Sequence, residues 1–82
     1  MDSRELHAII VKHLADRLVR LGIDDRELVK GFDLVRSGLL DSLGFIDLVV
    51  SLEKATGREV DLESALERSD ATTMNGLYEL FR

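Results

Sequence analysis

The feature that most constrains this chain is the spacing of its apolar side chains, which recur every three or four residues in two long runs. This is the period of one face of an α-helix, whereas a half-buried strand alternates apolar and polar residues. The first run covers residues 3–20 and stops before Gly22, and the second covers residues 42–56 and stops at Gly57. Glycine directly after the last periodic residue is a common helix stop. Because the chain also has no proline, the pattern predicts an all-α protein.

The residues that share one face define the expected core of both long helices. In the first helix they are Leu6, Ile9, Ile10, Leu14, Leu18 and Leu21. In the second they are Phe45, Leu48, Val49, Leu52 and Ala55. We expect both sets to face the core of one small domain that spans residues 1–82.

Two shorter helices are predicted after the second long one. Residues 60–67 favour a short helix capped by Asp61, with Leu62 and Leu66 facing inward. Because it is so short, tertiary contacts must hold it in place.

The last predicted helix begins after Thr72 and Thr73, which can cap it. Its inward residues are Met74, Leu77, Tyr78 and Phe81. Gly76 is unfavourable within a helix, so we interpret it as a point of close backbone packing.

The connection between the two long helices, residues 23–41, is too apolar for a solvated linker. Its apolar residues include Phe32, Leu34, Val35 and Leu39. We expect them to hold the connection in an ordered path across the helices. A helical turn is expected near Asp25, and Gly38 supplies the turn into the second long helix.

Asp41 and Ser42 lie where this connection meets the second long helix. Asp41 is expected to cap the helix, because a carboxylate there accepts hydrogen bonds from first-turn amides. The remaining free amides and the helix dipole favour a phosphate at this position. An exposed Ser42 hydroxyl would therefore be well placed to carry a phosphodiester.

The second long helix has a further apolar stripe, formed by Leu43, Ile46 and Val50 and interleaved with Asp47 and Glu53. One interpretation is that Leu43 and Ile46 pack at the margin of the core. The other is an exposed apolar ridge flanked by acids, which would be a docking surface. Such a small ridge suits transient partners, so we expect a monomer.

The net charge of −5 comes entirely from residues 41–70, which hold eight acidic and three basic side chains. This argues against nucleic acid as a partner, because nucleic-acid binders need lysine and arginine for phosphates. It favours partners with basic docking patches. The chain shows no apolar run long enough to span a membrane and no signal-peptide pattern, so we expect a cytoplasmic protein without membrane insertion.

The sequence offers little for catalysis or metal binding. It has no cysteine, and His7 and His13, its two histidines, lie on different sides of the first helix. Neither is predicted beside Ser42, as a serine hydrolase would require. Metal-ligand spacings and phosphate-binding glycine loops are also missing. We therefore expect no enzyme and no metal site, and no special role for either histidine.

The stretch Asp41-Ser42-Leu43, with Gly38 before it and Ile46-Asp47-Leu48-Val49 after it, resembles the attachment site of acyl carrier proteins. The helix order, with a long first connection and a short third helix, extends the resemblance over essentially the full chain. It implies a four-helix bundle of the acyl carrier type. It also implies that Ser42 carries 4'-phosphopantetheine, received from coenzyme A through a phosphopantetheinyl transferase, and that the arm's thiol holds acyl groups as thioesters.

In that family, the positions of Leu43, Ile46, Asp47, Val50 and Glu53 contact the enzymes that load and process the cargo. The expected partners are therefore an acyl- or aminoacyl-loading ligase and downstream acyl-processing enzymes.

Two departures from carriers of housekeeping fatty acid synthesis bear on the cargo. Gly44 replaces the usual acid after Asp-Ser-Leu, and one extra residue separates Gly38 from Asp41. These favour a stand-alone carrier of acyl intermediates in a secondary-metabolite or modified-lipid pathway. An aminoacyl, D-alanyl or peptidyl carrier is the alternative. A non-carrier interaction module, with Ser42 only a helix residue, is the second alternative.

Overall fold

The computed structural model describes residues 2–81, and its helices fall where the apolar period predicts them. Four α-helices follow in the order α1 (Ser3–Leu21), α2 (Ser42–Thr56), α3 (Leu62–Ala65) and α4 (Met74–Leu80). A 3₁₀ turn at Asp25–Glu27 interrupts the α1–α2 connection. The predicted all-α, four-helix fold with a long first connection is confirmed.

Both long helices end at the glycines that the sequence marks as stops. Gly22 after α1 has φ 68° and Gly57 after α2 has φ 71°. This left-handed conformation lets their amides reach back to the last carbonyls of the helix, and residues with a Cβ rarely adopt it. Asp2 begins α1 by accepting hydrogen bonds from the amides of Arg4 and Glu5 at 2.8 and 3.0 Å.

The core collects one face of each long helix, the α1–α2 connection and α4. Its buried apolar residues are Leu6, Ile10, Leu14, Leu18, Leu28, Leu34, Leu39, Leu40, Phe45, Leu48, Val49, Leu52, Met74, Leu77 and Phe81. Four of these lie in the connection between α1 and α2. The connection is therefore part of the core, as its apolar content predicts.

Three residues expected to face inward are exposed instead. Leu21 is the last residue of α1, and Ala55 lies in the last turn of α2, where one methyl group offers little apolar area to bury. Leu66 is 46% exposed. The helix α3 ends at Ala65, earlier than predicted, and Leu66 is the residue that caps its end.

The connection is tied to the start of α4 through Asp33. Its Oδ1 accepts hydrogen bonds from the Thr72 hydroxyl at 2.8 Å and from the amides of Val35 and Arg36 at 3.0 and 2.9 Å. Backbone hydrogen bonds join the same two segments, and one of them runs from Leu34 N to the Thr72 carbonyl at 2.9 Å. This fastening fixes the path that the chain takes into α2.

Gly76 is needed for the same packing. A Cβ built on it would collide with the carbonyl oxygen of Asp70 and would lie 2.8 Å from that of Ala71. The Gly76 amide in turn donates to the capping hydroxyl of Thr73 at 3.0 Å. The predicted close backbone approach at Gly76 is therefore present.

Candidate functional site

Ser42 is the first residue of α2, and its side chain is exposed to solvent. The residue before it, Asp41, is the helix cap: its Oδ1 accepts a hydrogen bond from Gly44 N at 2.6 Å. No group among residues 2–81 hydrogen-bonds the Ser42 hydroxyl. Asp41 thus supplies the cap, and the neighbouring Ser42 hydroxyl is left available for chemistry.

Two backbone amides at this helix start are also available. Within the described part of the chain, the N–H groups of Ser42 and Leu43 have no acceptor, whereas those of Gly44 and Phe45 bond to Asp41. Free first-turn amides at the positive end of a helix dipole favour a negatively charged group. A phosphodiester on Ser42 therefore fits the residues that surround it.

The chain leading to Ser42 is held firmly. Leu39 and Leu40 are buried, and the Leu40 amide donates to the Leu34 carbonyl at 2.8 Å. Gly38 has φ 85°, so the turn before them needs a glycine. The polar site consequently follows directly on two residues of the core.

Gly44 lies on the buried side of the first turn of α2. A Cβ there would lie 3.1 Å from Asp41 Oδ1 and 3.3 Å from Leu40 Cδ2, which is tighter than an ordinary contact. The acidic side chain that housekeeping fatty acid carriers have after Asp-Ser-Leu would crowd the cap in this protein. The local packing gives a physical reason for that departure.

The second apolar stripe of α2 forms an exposed surface, here called the outer ridge (Leu43, Ile46 and Val50). The three side chains are 77%, 38% and 40% exposed. The opposite face carries the four buried residues Phe45, Leu48, Val49 and Leu52. Of the two interpretations of this stripe, exposure at the surface is the one that the structure shows.

The two acids beside the outer ridge differ in their surroundings. The Asp47 side chain is 72% exposed, and its Oδ2 lies 4.0 Å from Nε2 of His13 on α1. Glu53 is half-buried, and its Oε2 accepts a hydrogen bond from Val60 N at 3.0 Å. Glu53 therefore braces the segment that leads into α3, a structural role that the sequence did not indicate.

The histidines take positions that the helical period alone could not assign. His13 faces Asp47, and His7 Nδ1 lies 3.1 Å from the Tyr78 hydroxyl on α4. Neither ring hydrogen-bonds Ser42 within residues 2–81. No group of three or more histidine, aspartate or glutamate side chains in that range could hold a metal ion.

A cleft of about 370 Å³ opens between α2, α3 and α4. Phe45, one turn beyond Ser42, forms part of its wall together with apolar residues such as Leu62 and Leu80. Its rim carries charged side chains, among them Glu59 and Arg68.

No helix within residues 2–81 is long and apolar enough to cross a membrane.

Comparison with known proteins places this geometry in a family. A curated D-alanyl carrier protein from Streptococcus uberis is 34% identical to the chain over 70 residues. The aligned region covers 85% of this chain and 87% of that protein. Neither a family model nor a solved structure matches the chain.

The predicted resemblance of this chain to stand-alone proteins of the acyl carrier type is therefore confirmed. The matched relative is a stand-alone carrier of the acyl carrier type, and proteins of this type carry phosphopantetheine. The role is that of a carrier and not of an enzyme. The chain belongs to the stand-alone carrier proteins of the acyl carrier type.

Proposed function

We propose that Ser42 is the residue to which 4'-phosphopantetheine is attached, and that the chain presents a thioester-bound cargo to partner enzymes. The observation that carries this proposal is the exposed, unbonded Ser42 hydroxyl directly after the Asp41 cap. Family membership adds the expectation of a phosphopantetheine arm.

In the attachment step, the Ser42 oxygen forms a bond to the phosphorus that carries pantetheine in coenzyme A. The phosphoanhydride bond of that phosphorus breaks, adenosine 3',5'-bisphosphate leaves, and the serine proton passes to the transferase. Asp41 holds the first turn of α2 in shape while Ser42 reacts, because its carboxylate is bonded to Gly44 N and not to the hydroxyl. Once attached, the arm supplies a thiol that holds the cargo as a thioester.

The outer ridge is proposed to be the surface that the transferase, the loading ligase and downstream enzymes contact. Exposed leucine, isoleucine and valine side chains supply apolar contact area, and Asp47 supplies a negative charge beside them. Charges at the rim of such a surface increase association rates more than they increase affinity. This suits a carrier that must leave each partner after one step. Glu53 contributes less, because one carboxylate oxygen is already bonded to Val60.

D-alanine, or another amino acid, is the cargo that we favour. The matched relative is a D-alanyl carrier protein. The run from Gly38 to Ser42 and the glycine at position 44 likewise resemble aminoacyl carriers more than housekeeping fatty acid carriers. A D-alanyl carrier therefore fits better than a generic acyl carrier of a specialised pathway, which remains the second candidate.

The attachment is tested by intact mass after incubation with coenzyme A and a broad-specificity phosphopantetheinyl transferase. We expect one added arm on the wild type and none on Ser42→Ala. Asp41, the cap, is intact in Ser42→Ala, so this variant should fold and serve as a valid control. A folded wild type that gains no mass with several transferases would contradict the proposal and favour the interaction-module alternative.

The cargo is tested by presenting the carrier with its phosphopantetheine arm to a ligase that activates D-alanine with ATP. We expect a second mass increase equal to one D-alanyl group, removable by hydroxylamine because a thioester reacts with it. A parallel reaction with a ligase that activates fatty acids provides the comparison. Loading by the fatty acid ligase alone would favour the second candidate.

A further inference from the structure

Arg17 of α1 lies against the first turn of α2. A Cβ built on Gly44 would be 3.6 Å from a guanidinium nitrogen of Arg17 and 3.1 Å from Asp41 Oδ1. Both groups lie beside the position of a Gly44 Cβ, so the guanidinium and the capping carboxylate are near each other. The lack of a Gly44 side chain keeps the space between them open.

Within residues 2–81, Arg17 has no hydrogen bond and no carboxylate within 4.0 Å. Arg26, Arg36 and Arg68, by contrast, each pair with an aspartate. Arg17 also lines a groove of about 280 Å³ together with Arg20, Leu21, Gly38 and Leu39. Two cations on α1 therefore face the segment that leads into Ser42.

We infer that Arg17 is a positioning residue that holds the phosphodiester formed on Ser42. This inference depends on the proposed function of Ser42. A phosphodiester keeps one negative charge at neutral pH, and it would form beside the carboxylate of Asp41. Like charges this close repel each other, so a cation beside them would stabilise the form that carries the phosphodiester. Arginine is suited to this role because its guanidinium donates two parallel hydrogen bonds to phosphate oxygens.

The Arg17 side chain must move from its position beside Gly44 to contact the phosphodiester. Gly44 and Ser42 are two positions apart in the first turn, so the guanidinium must extend past the Asp41 cap. It is half-buried and held by no other residue of the described chain, so this movement breaks no existing ion pair. The free amides of Ser42 and Leu43 would then complete the set of donors around the phosphate.

The test compares four proteins: wild type, Arg17→Gln, Arg17→Lys and Lys12→Gln. Each is measured without the phosphopantetheine arm (unloaded) and with it (loaded). Lys12 is an exposed cation on the same helix, so Lys12→Gln removes the same charge from α1 at another position. Loading is verified by intact mass, and each form is then measured by thermal melting and by ³¹P NMR of the phosphodiester.

We expect loading to raise the melting temperature of the wild type and of Lys12→Gln equally, and to raise that of Arg17→Gln by about 2–5 °C less. The ³¹P resonance should move in Arg17→Gln, and Arg17→Lys should recover part of both effects. The unloaded forms should melt alike, because Arg17 makes no ion pair there.

Equal melting gains and unchanged ³¹P resonances in all four proteins would overturn the inference. A fall in melting temperature that is the same for unloaded and loaded Arg17→Gln, without a ³¹P change, would also overturn it and show a purely structural role. Failure of the wild type to gain mass would overturn the proposed function itself and would be visible before any melting curve is recorded.

Discussion

The two apolar faces of α2 are made of similar residues but have different surroundings. Leu48 and Leu52 on the inner face are completely buried, whereas Leu43 on the outer ridge is 77% exposed. Both faces follow helical spacing and consist of similar residues, so neither spacing nor composition distinguishes them. The difference is that α1 and the α1–α2 connection cover one face, while residues 2–81 leave most of the Leu43 side chain uncovered. A similar contrast exists between two carboxylates, Asp33 inside and Asp47 outside.

Leu48→Ala should have the largest effect. Removal of a fully buried leucine side chain leaves a cavity and should lower the free energy of unfolding by about 2–5 kcal/mol. Urea unfolding followed by circular dichroism measures the change. The inner face would lose its assigned role if this variant were as stable as the wild type.

Asp33→Asn should come next, with a loss of about 1–3 kcal/mol. The amide oxygen can still accept from Thr72, Val35 and Arg36, but without the negative charge these hydrogen bonds are weaker. The amide NH2 group would also replace Oδ2, which lies 3.8 Å from Nε of Arg36. Urea unfolding at neutral pH provides the number. Asp47→Asn is the matched control, and it should change stability by less than about 0.5 kcal/mol.

The same Asp33 variant should alter the response to acid. Burial raises the pKa of Asp33, but hydrogen bonds from Arg36, Thr72 and Val35 outweigh it and hold the pKa below the ordinary 3.8. A carboxyl group with a lowered pKa stabilises the fold above its unfolded value, and this contribution is lost as the pH falls through the folded value. Stability between about pH 5 and 2 should therefore fall less steeply in Asp33→Asn. An unchanged slope would assign the acid sensitivity to other carboxylates.

Leu43→Ala should leave the fold intact and weaken recognition. An exposed side chain contributes within about 0.5 kcal/mol to stability, yet an apolar residue central to a docking surface can be worth a factor of about ten in binding. We expect kcat/KM of the transferase for the carrier to fall about tenfold while the unfolding curve stays unchanged. Ala55→Ser, an exposed change in the last turn of α2, is the control. An unchanged kcat/KM would remove Leu43 from the docking surface.

Asp47→Asn should produce the smallest effect. Loss of an exposed acid should reduce kcat/KM by about two- to threefold at low salt, because charge steering increases the association rate. The difference should vanish near 1 M salt, where the screening length is about 3 Å. A defect that persists at high salt would point to a direct contact in place of steering.

The sequence was sufficient for those features that depend on local rules. Helical spacing and the stops at Gly22 and Gly57 located α1 and α2, and the Asp41 cap followed from side-chain chemistry. The prediction that Leu66 faces inward was wrong, because the end of a short helix depends on tertiary contacts that the spacing of its residues does not encode. The predicted roles of Ser42 and the outer ridge remain predictions, although the structure shows their exposure.

Other features of the site depended on which separate segments of the chain lie against each other, and no local pattern reports that. Glu53 bonds to Val60 across the turn after α2, and His13 approaches Asp47 from α1. Arg17 reaches Gly44 in the same way. The order of charged residues within one helix does not tell which residue of another segment lies opposite each of them.

The buried pair Leu39 and Leu40 has a consequence for the entropy of recognition. The chain is already packed into the core just before Asp41 and Ser42, so a partner that docks on α2 does not have to order the backbone that leads to Ser42. Ordering one residue's backbone costs about 1–2 kcal/mol, and this cost was met when the protein folded. What a partner still has to restrict is the rotation of the bonds beyond the serine oxygen. Differences in affinity among partners should therefore reflect how each restrains those bonds, and much less how each contacts a flexible protein.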